Sequence, residues 1–303
     1  MRATGRLVKM RRSWQLYLCL LPAFAYLAIF NYAPMYGLQI AFRNYMPAFG
    51  ITNSPWVGLK HFTTFVNSFQ FTILIRNTVL ISVYSLIFGF PIPIMLALML
   101  HEIKFVPFKK IVQNLTYIPY FISVVVTVAM IILFTSPSIG VINKLIGLFG
   151  GEAVDFMGKS SMFRTLYIVT GIWQSMGWNS IIYFAALVGV DPQLYESAYI
   201  DGANRLRRIW HINLPGIAPT IIMLFIINCG GLLNVGFEKT FLMQNTLNTD
   251  VSEVISTYVY KTGILNAKFS YTSAIGLFNT VINFTLLLIV NRVARGVSGI
   301  GLF

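Results

Sequence analysis

Tyr195-Glu-Ser-Ala-Tyr-Ile-Asp-Gly-Ala203, with Ile212-Asn-Leu-Pro215 close behind, is a polar, charged stretch in a chain that otherwise reads as membrane. Three of the nine acids, Asp191, Glu196 and Asp201, gather here. Pro192 suits the first turn of a helix, where its missing N–H costs nothing, and Asp191 before it suits the cap. Ser197 and Ala198 give that helix a low-profile face able to sink into a groove. Glu196 and Asp201 offer carboxylates for charge-assisted bonds to basic groups. Gly202 permits a sharp exit because glycine accepts positive φ. Pro215 and Pro219 then restart an apolar helix. The stretch reads as a rigid knob tied directly to two membrane spans.

The rest of the chain supplies the spans. Of its 303 residues 56% are hydrophobic and only 10% charged, with mean hydropathy +0.73. A soluble domain carries about 25% charge. The apolar residues come in long runs, and a span needs about 20 of them. Six stretches qualify, near 16–42, 71–100, 111–135, 164–188, 216–237 and 272–291, so residues 1–303 read as one all-α membrane domain. Gln174, Asn179, Asn228 and Asn234 interrupt the fourth and fifth.

Lys and Arg set the orientation. The 1–15 tail carries Arg2, Arg6, Lys9, Arg11 and Arg12. The 101–110 loop carries Lys104, Lys109 and Lys110, the 189–215 loop Arg205, Arg207 and Arg208, and the end of the chain Arg292 and Arg295. A six-span topology puts all four segments on one side, so both termini and the 189–215 loop are expected in the cytoplasm. The net charge of +13 is thus mostly a topology signal. No basic stripe with interleaved aromatics lies in a soluble region, which argues against nucleic-acid binding.

Four features suggest chemistry and are outweighed. Ala23-Phe-Ala25 resembles a signal-peptide cleavage site, but the apolar run continues to Phe42. Gly158-Lys159-Ser160 resembles the end of a phosphate-binding loop, but Ala153 holds the place of its first glycine. Cys19 and Cys229 lie inside spans as packing residues. His61, His101 and His211 are scattered, so no metal site is expected.

Pro22 and Pro34 should kink or break the first span near Asn31-Tyr-Ala-Pro34. Ser82, Ser85 and Gly89 form a small stripe that lets another helix approach closely, and Pro91 and Pro93 should bend the cytoplasmic half of the second span. Val141 to Phe149 is amphipathic and belongs at the outer surface. In the 238–271 loop, Val251 to Tyr260 has apolar residues at helix spacing and is expected to form a helix of an external lid.

A carrier driven by protons or sodium usually keeps ionisable groups inside its spans. The spans 111–135, 164–188 and 272–291 hold none beyond their ends, and no complete nucleotide-binding motif exists. Energy for uphill transport would enter through a partner, at the 189–215 loop. The alternative from another class is a membrane-embedded, metal-dependent phosphotransferase using the 191–205 acids. Asp201-Gly-Ala-Asn-Arg205 is faintly similar to the motif of phospholipid head-group transferases, but Asn204 stands where that motif has alanine.

The loop resembles the "EAA" loop of ABC importer permeases: Glu-Ala-Ala, three residues, Gly, about nine residues, then an apolar residue, one more and Leu-Pro. Glu196, Ser197 and Ala198 fill the first places, Gly202 the glycine, and Ile212, Leu214 and Pro215 the end; Ser197 alone departs. Asn31-Tyr-Ala-Pro-Met-Tyr-Gly37, Trp56-Val-Gly-Leu59, Ile118-Pro119-Tyr120, Gly171-Ile-Trp-Gln174, Gly236-Phe-Glu238 and Gly301-Leu-Phe303 extend the resemblance over nearly the whole chain. It is similar to maltose-permease-like carbohydrate permeases, and within them to the LplB type of oligosaccharide and polysaccharide permeases. The resemblance implies a type I importer fold working by alternating access. It implies a second permease, two cytoplasmic ATPases that bind ATP and Mg, and an extracellular lipoprotein that delivers an oligosaccharide, in the cell membrane of a Gram-positive bacterium. It makes Glu196, Ser197, Ala198, Asp201, Gly202, Leu214 and Pro215 the coupling residues. The permease itself would bind no cofactor and catalyse nothing.

A sugar path needs polar and aromatic groups inside spans. Gln174 and Trp178 share a helix face, flanked by Trp173 and Asn179. Thr272, Gly276, Asn279 and Asn283 form another stripe. Asn228 and Asn234 bracket Gly230-Gly231, where a helix break at membrane depth is tolerated if it lines a cavity. The plainer role for the same amides is to hold helices together.

Overall fold

The computed structural model describes residues 14–302; the basic tail and Phe303 lie outside them. Among the described residues ten α-helices have eight residues or more: α1 (Trp14–Leu27), α2 (Phe69–Gly89), α3 (Pro91–Glu102), α4 (Val106–Tyr117), α5 (Val124–Thr135), α6 (Val141–Leu148), α7 (Ser160–Val188), α8 (Pro192–Ile200), α9 (Leu214–Gly230) and α10 (Phe269–Ser298). No strand occurs among the described residues, only isolated bridges.

Among the described residues four helical stretches are long and apolar enough to cross a membrane: Trp14–Phe42, Phe69–Glu102, Arg205–Gly230 and Phe269–Ser298. Val106–Phe121 and Val124–Thr135 make a fifth if taken together, bent by 102°. The remaining expected span, 164–188, is the 29-residue α7, too polar to meet the same test.

The chain forms two compact units, one from the chain up to Val66 with Thr262–Leu277, the other from Asn67–Lys261 with Phe278 onward. In the first, the α-helical pattern of α1 gives way to a wide turn at Ala28–Tyr32 and a 3₁₀ stretch, Ala33–Phe42, with Pro34 in its first turn. Trp56 stacks on Phe42, and the Arg43 guanidinium lies 5.5 Å from the Trp56 ring. The Tyr45 N–H donates to Ser270 Oγ at 2.8 Å.

In the second unit α7 packs against α3, α2, α4 and α9. Two apolar cores flank it. One gathers Ile81, Val128, Ile131, Phe163, Val235, Met243 and Val254, the other Ile94, Ala97, Leu98, Tyr183, Leu187 and Ile217. A Cβ on Gly177 would overlap the Thr116 carbonyl, so glycine is what lets α4 and α7 meet. The bend between α4 and α5 leaves the Ile122 carbonyl outside a helix, and Gln174 Nε2 donates to it at 3.0 Å.

Two expectations are corrected. Val251 to Tyr260 is not one helix but Thr249–Ser252 and Ile255–Val259, parted at an extended Val254. Asn77 Nδ2 donates to the carbonyls of Asp250 and Glu253, and the Ile255 N–H goes to Thr78 Oγ1, so side chains of α2 claim groups a continuous helix would use. An α-helix does resume at Leu214 with Pro215 in its first turn, but it does not restart out of a loop. The helix begins at Arg205 and runs through a wide turn, Ile209–Asn213, into α9. A wider turn takes up the hydrogen bond that proline cannot donate, and the 189–215 loop is irregular only at 201–204 and beside α7.

Candidate functional site

Two regions carry polar groups where the fold can use them. The first is the knob built on α8. Asp191 Oδ1 accepts from the Gln193 N–H at 3.0 Å, with Pro192 in the first turn. α8 ends at Ile200, and Gly202 turns the chain at φ +68° with nothing near its missing Cβ. Glu196, Ser197, Asp201, Gly202 and Pro215 are exposed, Ala198 and Leu214 half-buried. Ser197 Oγ donates to the Gln193 carbonyl at 2.7 Å. Tyr199 and Ile200 are 79% and 85% exposed.

The knob is tied down by bonds that sequence reasoning missed. Arg208 Nη2 meets Glu102 Oε2, at the end of α3, at 3.0 Å. The Tyr195 hydroxyl donates to Asn213 Oδ1 at 2.7 Å, and Asn213 is wholly buried. The Tyr195 ring lies 5.7 Å from that of His101. Burial pushes the Tyr195 phenol above its ordinary range, the Glu102 charge adds to this, and Arg208 opposes it. The bonds fix the knob to α3 and α9 together.

The second region is a cavity of about 380 Å³ in the second unit. Ser82, Ser85 and Gly89 of α2 face Gly171, Ser175 and Asn179 of α7, and Asn228 of α9, with Asn234 and Gly236 beyond it, completes the wall. The small stripe on α2 therefore opens space as well as closing a helix seam. Along α7 the lining runs from Tyr167 to Tyr183, about 24 Å at 1.5 Å per residue. That is most of a hydrocarbon layer of about 30 Å. Ile81 and Val235 join the wall from one apolar core and Tyr183 from the other.

The structure divides the eight expected path residues. Asn179, Asn228 and Asn234 line the cavity. Asn234 Oδ1 accepts from Asn279 Nδ2 and Asn283 Nδ2, both at 3.1 Å, and Asn283 Oδ1 accepts from the Leu233 N–H. Three amides thus brace the backbone beyond Gly230. Gln174 is bonded to Ile122 and Thr127, and Trp178 stacks on Tyr120 at 4.6 Å. Trp173 and Trp178 are exposed; neither they nor Gln174 line the cavity. Tyr167 and Ser175 also line the cavity and were not expected there. The spacing of Gly171, Ser175 and Asn179 by four was the signal available.

The acids do not converge. Asp191 caps α8, Glu196 and Asp201 face outward, and no group of three His, Cys, Asp or Glu able to hold a metal occurs among the described residues. A chain of apolar helices around a long cavity of mixed apolar and polar lining, with a braced polar knob between two of them, defines a membrane transport subunit.

The chain belongs to the binding-protein-dependent transport system inner membrane component family, whose model matches residues 89–299. It is 43% identical to the polygalacturonan/rhamnogalacturonan transport system permease protein YteP of Bacillus subtilis, over 98% of this chain and 92% of that one. It is 41% identical to protein LplB of the same organism, over 97% and 92%. Among solved structures it matches a chain of a bacterial alginate ABC transporter, in complex with alginate pentasaccharide-bound periplasmic protein. There the TM-score is 0.89 and the identity 40%, over 97% of this chain and 98% of that one. The resemblance to LplB-type ABC permeases therefore holds. The chain is an importer permease, and the phosphotransferase alternative finds no support.

Proposed function

We propose that this permease crosses the cell membrane of a Gram-positive bacterium six times, with both termini in the cytoplasm. It pairs with a second permease and two ATPases, and takes up an oligosaccharide handed over by an extracellular lipoprotein. The observation that carries the reading is the cavity. It runs along α7 for about 24 Å and offers hydroxyls and amides from Ser82, Ser85, Ser175, Asn179, Asn228 and Asn234, the groups that sugar hydroxyls pair with. The printed substrates of the relatives support a saccharide. Trp173, Gln174 and Trp178 border the path rather than form it, and Asn279 and Asn283 hold Asn234 in place.

Glu196, Ser197, Ala198, Asp201 and Gly202 form the surface that docks on an ATPase, with Leu214 and Pro215 anchoring it to α9. The exposed Tyr199 and Ile200 beside them favour this, since on a cytoplasmic loop they need protein cover. ATP and Mg belong to that partner. Alternating access then turns the cavity from one side to the other, driven through the knob.

The test uses the whole importer, purified through a tag on this chain with Cys19 and Cys229 replaced by alanine. Cysteine at 175 or 179 should react with a membrane-impermeant thiol reagent when the importer is held outward, and be protected at rest. Glu196→Ala should insert normally yet lose saccharide-stimulated ATPase activity. Labelling blind to the state would remove the cavity from the path, and undiminished stimulation would remove Glu196 from coupling.

A further inference from the structure

Lys239 is a buried cation that lacks an anion. It lies in the short helix Phe237–Met243 and is 8% exposed. Its Nζ donates to the Tyr167 carbonyl at 2.9 Å and stands 4.8 Å from the centre of the Tyr167 ring. An ammonium has three protons to donate, and the described residues take one. All nine acids are among those residues, and none reaches it: the ion pairs found are Arg208–Glu102 and Lys261–Glu253, and the neighbouring Glu238 is exposed. An isolated buried charge is costly unless it is paired.

Lys239 is not itself a lining residue, but its amine stands directly behind residues that are. Tyr167, Gly171 and Gly236 all line the cavity, and Nζ lies 3.3 Å from the point a Cβ would occupy on Gly171. Glycine there leaves the ammonium beside open space. The lining is apolar, hydroxyl or amide, without a carboxylate. We propose that Lys239 is the counter-ion for a carboxylate carried by the saccharide, so that the permease selects uronate-containing chains over neutral ones. When no cargo is present, the Tyr167 carbonyl and ring hold the ammonium; a uronate then pairs with the protons left over. This inference rests on the oligosaccharide reading; two relatives carry acidic saccharides, and what it adds is the residue that would read that charge here.

The test compares two saccharides of equal shape, trigalacturonate and its methyl ester, by calorimetry on the purified importer. Wild type should bind the acid at least tenfold more tightly than the ester. Lys239→Met should bring the two within about twofold, and Lys239→Arg should keep most of the preference. Equal affinities in wild type, or an undiminished preference in Lys239→Met, would overturn the proposal. Should Lys239→Met not assemble, the wild-type comparison and Lys239→Arg decide. The broader reading fails separately: it falls if the acid, the ester and neutral arabinotriose all leave ATPase activity of the complete importer unstimulated. Stimulation by arabinotriose alone sinks only the acidic preference.

Discussion

Gly202 and Ser197 sit five residues apart on the knob and should respond oppositely to substitution. A β-branched residue at φ +68° meets no neighbour but strains its own backbone, at about 1–2 kcal/mol. Gly202→Val should cut saccharide uptake several-fold, whereas Ser197→Ala loses one bond to Gln193 and should transport normally. Equal uptake by the two would mean that the exit turn does not matter. Lys239 gives a pH signature. Burial pushes its amine down to about 8 from an ordinary 10.5. The charged form is therefore penalised in the folded protein, fully below pH 8, and the penalty fades as pH rises to 10.5. The substrate-free importer should gain stability across that window relative to Lys239→Met, by on the order of 3 kcal/mol at most. A difference in melting temperature that stays constant from pH 7 to 10 would contradict this.

Among elements, the clamp between α3 and the knob is the one most open to test. Glu102 and Arg208 are about four-fifths buried, so either charge alone would be stranded. Glu102→Arg and Arg208→Glu should each lower the temperature at which the importer loses its ATPase, and the double swap should recover most of the loss. Additive losses would show that the pair does not communicate. The knob itself was legible in the sequence because its signals are local: Asp191 before Pro192, small residues after, then Gly202. The clamp was not, because Glu102 and Arg208 are 106 positions apart. The same holds for the cavity. Ser82, Ser85 and Gly89 announce a small face, but only the helix opposite decides whether such a face closes a seam or lines a space. Val251 to Tyr260 misled for a related reason, since Asn77 and Thr78 on another helix interrupt what the local pattern favours. Periodicity records how a segment would fold alone.

At the scale of the molecule, apolar runs announced the long helices, and α7 was the one least obvious from composition because its polar residues line the cavity or bond across the seams. The break between α4 and α5 has a consequence for the lipid itself. Twelve residues of α5 reach about 18 Å, well short of a hydrocarbon layer of about 30 Å, and Val125, Val126, Ile132, Leu133 and Phe134 on it are exposed. A helix too short for its bilayer thins the lipid or tilts its neighbours, at a fraction of a kcal/mol per Å. Acyl-chain length thus becomes a control on this permease. Reconstituted in phosphatidylcholines of increasing length, the importer should lose turnover steadily as the chains lengthen, and straightening the break with Pro119→Ala should flatten that dependence. Rates indifferent to bilayer thickness would mean that protein, not lipid, fills the space beside the short arm.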